Sequence, residues 1–162
     1  MKMSLLTYIA LPKKLPEYAH SDSTFRVINV LSRNPGFITH RCFENKFVYA
    51  LDSRLDFCPY KMRRVEDINY DGRIITEEMR VNAIKGWEDL RLLSLRNRAK
   101  LEFLIRHNLV TGESLEIYSM WWSYSAPDEL PPPEYTVTLH IDELEESRDF
   151  VLDDGYKFII YC

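Results

Sequence analysis

A chain of 162 residues, 46% of them hydrophobic, suits one domain and can bury about 70% of its unfolded surface, so its stability requires no metal or disulfide. Three cysteines, Cys42, Cys58 and Cys162, with no CxxC pair, argue against a disulfide framework and fit a reducing cytoplasm. No apolar run approaches the roughly 20 residues of a membrane-crossing helix.

The net charge of −4 conceals a segregation. Residues 1–53 carry seven Lys/Arg against four Asp/Glu, residues 54–106 twelve against nine, and residues 107–162 two against twelve. An acidic last third points to a basic partner, and the overall acidity opposes general attraction to nucleic acid.

In chain order, Met3 to Leu11 alternates Leu5, Thr7 and Ile9 with Leu6, Tyr8 and Ala10, the pattern of a buried strand. Lys13 and Lys14 stand where a signal peptide would carry small residues, so no secretory leader is expected here. Pro12 and Pro16 end the strand, and a polar loop leads to a short strand at Phe25, Val27 and Ile28. After the turn at Asn34-Pro35-Gly36, Phe37–Phe43 and Lys46–Leu51 read as a hairpin turning at Glu44-Asn45. Residues 52–75 read as irregular surface structure with at most one short strand.

Thr76 followed by Glu77 and Glu78 is a helix start, and Met79, Ala83, Trp87 and Leu90 share one helical face. Asn97 is a candidate cap for a second helix, in which Leu101, Leu104, Ile105 and Leu109 fall on one side with Ala99 and Phe103 opposite. Apolar residues on both sides predict a well-buried helix. Thr111-Gly112 stops it. Leu115 to Trp122 then alternates as an aromatic-rich central strand, with Trp121 expected in the core.

Pro131 to Pro133 form a stiff connection that cannot pair in a sheet. Tyr135 to Ile141 and Tyr156 to Tyr161 read as strands, the second preceded by an Asp154-Gly155 turn. Between them lies an acidic, turn-like stretch from Asp142 to Asp154. Residues 1–162 are therefore expected to form a single α+β domain, with a mainly antiparallel sheet of five to seven strands packed against two helices.

Catalytic chemistry has little to stand on. His40, Cys42 and Cys58 are the closest grouping of metal-ligand types, but tetrahedral zinc needs a fourth ligand, which only His20 offers. Cys42 beside His40 is a conceivable nucleophile pair, without the local signature of any cysteine enzyme. The paired carboxylates Asp142/Glu143, Glu145/Glu146 and Asp153/Asp154 sit in turn-rich sequence, where nothing would separate their pKa values for acid–base work. A small enzyme using His40, Cys42 and Cys58 stays as one alternative. A nucleic-acid-binding regulator using Lys61, Arg63 and Arg64 is the other. Protein recognition fits best, with Trp122, Tyr124, Asp142, Glu143, Glu145, Glu146, Asp149, Asp153 and Asp154 as candidate partner-binding residues.

One resemblance agrees with this. The helix–Gly–strand unit KLEFLIRHNLVTGESLEIYSMWW resembles a recurring unit of small bacterial immunity proteins encoded beside polymorphic toxins, best known from contact-dependent growth inhibition systems. The strand MSLLTYIALP, followed by an aromatic hairpin, is similar to the same group. The likeness covers about half of the chain and carries over no site residues. It implies a cytoplasmic, non-enzymatic protein without cofactor, which neutralises a cognate toxin domain by binding it. Many such toxins are nucleases with basic clefts, which an acidic inhibitor would complement. Neither nucleic acid nor membrane is an expected partner.

Overall fold

The computed structural model describes residues 4–16, 21, 25–30, 36, 39, 41–53, 76–122, 130–144, 152 and 154–162. Six strands form one sheet: β1 (Ser4–Leu11), β2 (Phe25–Asn29), β3 (Phe47–Ser53), β4 (Ser114–Trp122), β5 (Tyr135–His140) and β6 (Tyr156–Tyr161), in the spatial order β2-β3-β1-β4-β6-β5. Among the described residues one long helix, α1 (Glu77–Asn108), lies between β3 and β4. The class is α+β, as expected.

β1 and β4 are the centre of the sheet because their side chains suit burial on both faces. In the register, Ile9 stands opposite Tyr49 of β3 and Ile117 of β4, while Tyr8 stands opposite Ala50 and Tyr118. Ile9, Leu11, Tyr49, Leu51, Leu115, Ile117, Phe158 and Ile160 project to one face, where Leu101, Leu104, Ile105 and Leu109 of α1 cover them. Each fully buried aliphatic side chain contributes about 1.5–3 kcal/mol. The opposite face carries Tyr8, Ala10, Val48, Tyr118 and Met120, packed with Cys42, Phe43 and Leu130 from connecting segments.

Three expectations are corrected. The first concerns the helices. Asn97 caps nothing, because it lies inside the 32-residue α1. Between Trp87 and Asn108 the sequence has neither proline nor glycine, so nothing interrupts the helix once Thr76 has started it. Thr76 does cap the N-terminus, its Oγ1 accepting from the Met79 N–H at 3.2 Å. The expected burial of both flanks also fails: Met79 is 58% exposed, Phe103 is 60% exposed, and Ala99 faces solvent.

Second, the sheet is mixed. β5 runs parallel to β6, from Tyr135 opposite Tyr156 to His140 opposite Tyr161. A parallel pair needs a connection of a dozen or more residues, and the acidic stretch after His140 is that crossover. Its start is a 3-10 turn, Ile141–Glu143, which buries Ile141 and Leu144 in the helix-side core.

Third, β3 does not form a hairpin with the residues just before it. Its partners are β1 and β2. Cys42 and Phe43 instead sit in a turn, both of their N–H groups donating to the Thr39 carbonyl. The Glu44-Asn45 segment is held by β4: Glu116 Oε2 accepts from the N–H of Glu44 at 3.0 Å and of Asn45 at 2.8 Å.

Gly112, with φ of 85°, lies in the turn between α1 and β4 and donates its N–H to the Cys162 carbonyl. The α1–β4 turn is thereby joined to the end of β6.

Candidate interaction surface

β5 is an edge of the sheet, and its outer residues stay open: Tyr135 is 54% exposed, and Thr136 and Thr138 are exposed as well. Gly155 positions its start. With φ of 74°, it takes a conformation glycine adopts without strain, and its carbonyl accepts from the N–H groups of both Glu134 and Tyr135. Exposed Glu134 and Asp154 therefore stand together at the beginning of the β5–β6 pair. At its other end, about 17 Å along the strand, the 3-10 turn presents Asp142 and Glu143, both exposed.

Aromatic rings line this end of the sheet. Tyr135 stacks on Tyr156 with centroids 4.9 Å apart, and Tyr156 on Phe158 at 6.2 Å. On the opposite face, His140 meets the edge of Tyr161 at 5.1 Å. Tyr135 and Tyr161 are rigid, half-exposed rings of the kind that anchors protein interfaces.

The acidic residues are not equally available. Glu143 Oε2 accepts from the His140 N–H at 2.6 Å and closes a capping box on the 3-10 turn. Asp142 has Arg106 Nη1 at 3.8 Å and His140 Nδ1 at 3.4 Å. Glu134 and Asp154 also influence Tyr118. Burial, then Cys42, Asp154 and Glu134, push the Tyr118 hydroxyl up to about 12. It donates to the Pro131 carbonyl at 3.1 Å, beside the Cys42 thiol, which reaches the same oxygen at 3.2 Å.

Of the residues predicted for partner binding, Asp142 and Glu143 come together, and Asp154 stands at the opposite end of the strand pair. Trp122 lies on β4 opposite Ser4. Tyr124, Glu145, Glu146, Asp149 and Asp153 lie outside the described residues, as do His20, His40, Cys58, Lys61, Arg63 and Arg64. Cys42 is buried and takes part in no disulfide. Among the described residues no three His, Cys, Asp or Glu side chains gather into a set able to hold a metal ion, and no helix is long and apolar enough to cross a membrane.

Sequence reasoning missed Glu134 and Tyr161. Glu134 follows the three prolines and reads as loop. Only the parallel pairing of β5 with β6 brings it to Asp154, and that pairing has no local signature. No family model matches this sequence, and no curated protein or solved structure shows a significant match to it.

Proposed function

We propose that this protein is an immunity protein, which binds a cognate toxin domain of the basic nuclease type and neutralises it without catalysis. The observation that carries this reading is the open edge strand β5, with Tyr135 exposed on it and carboxylates at both ends: Glu134 and Asp154 at one, Asp142 and Glu143 at the other. An unpaired strand edge can receive a strand of a partner through main-chain hydrogen bonds. Acidic groups flanking it steer a basic surface into register and accelerate encounter, by about 10- to 1,000-fold at low salt. The sequence resemblance to toxin-immunity pairs agrees with this chemistry.

The test uses the C-terminal domain of any secreted protein found to be encoded beside this chain. It should co-purify with this chain and lose its toxicity on co-expression. Reversing charge at Glu134, Asp142 and Asp154 together should slow association about tenfold or more at low salt and flatten its salt dependence. Unchanged association after the triple reversal would remove β5 as the docking edge. Absence of any such neighbouring toxin domain would remove the functional reading itself.

A further inference from the structure

The two edges of the sheet differ in what their main chain offers. On β2, the Val27 N–H already donates to Ser21 Oγ at 2.9 Å, on the side away from β3. On β5, the pairing with β6 decides which groups are taken. The Cys162 N–H donates to the Glu113 carbonyl, so alternation turns the main-chain groups of Ile160 and Phe158 toward β4 and those of Lys157, Ile159 and Tyr161 toward β5. In a parallel pair such a row bonds the residues that stand between its members in register, which are Val137 and Leu139, with Tyr135 before them. The Tyr135 N–H accordingly donates to the Gly155 carbonyl at 3.1 Å. Thr136, Thr138 and His140 therefore direct their N–H and C=O groups outward. Glu143 Oε2 closes the His140 N–H at 2.6 Å. Thr136 and Thr138, both exposed, are the open stretch of the edge among the described residues.

Side chains set what an added strand meets there. Val137 packs on the helix-side core, and Tyr135, on the same face, stacks on Tyr156. Thr136 and Thr138 belong to the other face. Residues opposite one another on neighbouring strands share a face. In a docked segment, side chains opposite Tyr135, Val137 and Leu139 would thus extend the apolar layer, and those opposite the two threonines need not be apolar.

Charge selects the ends of that segment. Exposed Glu134 and Asp154 stand before the open stretch, and exposed Asp142 and Glu143 stand after it. Lys or Arg just outside the paired residues would have carboxylates at both ends. A second copy of β5 suits this edge poorly. Laid antiparallel about Val137, it would bring Glu134 and Asp154 of one chain to Asp142 and Glu143 of the other, setting four carboxylates at each end against Arg106 and His140.

We infer that β5 accepts, as an added strand, an extended partner segment of about five residues with apolar side chains at alternate positions and Lys or Arg at both ends, held by the main chain of Thr136 and Thr138. This rests on the reading of β5 as the docking edge and adds the kind of segment that docks there.

The test titrates the full chain with the end-capped peptide Lys-Val-Thr-Val-Thr-Val-Lys, followed by amide NMR. The Thr136 and Thr138 amides should shift most, and those of Val137 and Leu139, already bonded to β6, should shift least. The same peptide N-methylated at each Val and Thr lacks main-chain donors and should not bind. Replacing both of its Lys by Glu should weaken binding about tenfold or more at low salt. Thr138→Pro removes one outward donor and leaves the β5–β6 ladder intact, as proline on an edge strand can. It should weaken binding about tenfold or more, with circular dichroism showing that the fold is kept. No binding at about 5 mM peptide, equal binding of the N-methylated or Glu-ended peptide, or shifts confined to residues away from β5 would each overturn the inference. None of these results depends on a toxin. A neighbouring toxin domain that binds the wild-type chain and Thr138→Pro equally would overturn strand addition alone, whereas absence of such a domain would remove the immunity reading and leave the peptide result standing.

Discussion

The ion pair between Glu116 of β4 and Lys157 of β6 allows the most direct test of how this fold is held. Glu116 is 3% exposed, and its Oε1 lies 2.6 Å from Lys157 Nζ. The same carboxylate accepts from the backbone N–H groups of Glu44 and Asn45, and Lys157 Nζ sits 5.9 Å from the Phe43 ring centroid. One side chain thus fastens the segment that carries Cys42 and Phe43 into the second core. Glu116→Gln keeps the volume but strands a nearly buried ammonium and turns an N–H₂ group toward donors. Breaking a buried pair from one side costs about 3–5 kcal/mol. Partial exposure of Lys157 argues for the lower end, about 3 kcal/mol, or about 6–12 °C in Tm for a chain of this size. Lys157→Met should cost less, about 1–2 kcal/mol, because the carboxylate left behind keeps two backbone donors. Urea midpoints of the two variants measure both numbers. A loss below about 1 kcal/mol for Glu116→Gln, or a larger loss for Lys157→Met, would refute the view that Glu116 ties these elements together.

The remaining predictions concern single sites. Asn97 is fully buried with neither side-chain oxygen nor nitrogen bonded, so Asn97→Leu should raise stability by about 1–3 kcal/mol in a denaturant titration. Gly86 lies in the exposed part of α1 with open space at its Cβ position, and Gly86→Ala should stabilise by up to about 1 kcal/mol. Gly155→Ala should destabilise by about 1–3 kcal/mol in the same titration, since a Cβ there would meet Glu134 Cγ at 3.1 Å and φ is positive. Thr76→Ala should remove about 1 kcal/mol from the first turn, read as amide exchange about fivefold faster near Met79 with little change in the global midpoint. Tyr118 has its hydroxyl pushed up to about 12 in the folded chain, against about 10 unfolded. Its contribution is complete below pH about 10 and is lost as pH rises toward about 12, so Tyr118→Phe should flatten that part of an alkaline unfolding curve.

Local chemistry made much of this fold legible. Period-two alternation located β1, β4, β5 and β6 to within a residue or two, because each has one face or both against a core. Thr76 was readable as a cap because capping is an interaction over three residues. What could not be read was relational. Asn97 has the composition of a cap, and only the continuity of the helix on both sides makes it an interior residue. The parallel pairing of β5 and β6 depends on the crossover after His140 and not on either strand. Phe103 has the hydrophobicity of a core residue, and periodicity does not say which of two apolar flanks meets the sheet.

Charge shows the same division with a consequence for recognition. The described acidic residues after Arg106 do not act as one acidic surface. Glu116 is neutralised by Lys157 inside the fold, Glu143 closes its own turn, Glu113 accepts from the Val110 N–H, and Asp142 faces Arg106. Glu134 and Asp154 are the exposed carboxylates gathered at the start of β5, and their field is felt as far as the Tyr118 hydroxyl. Electrostatic steering depends on charges at the surface rather than charges in the sequence. A basic partner of the proposed kind, approaching the β5 edge, meets Glu134 and Asp154 at the Gly155 end. The Tyr135–Tyr156 stack lies beside that field, so the residues that attract a partner and the residues able to anchor it are neighbours at one end of a single strand pair.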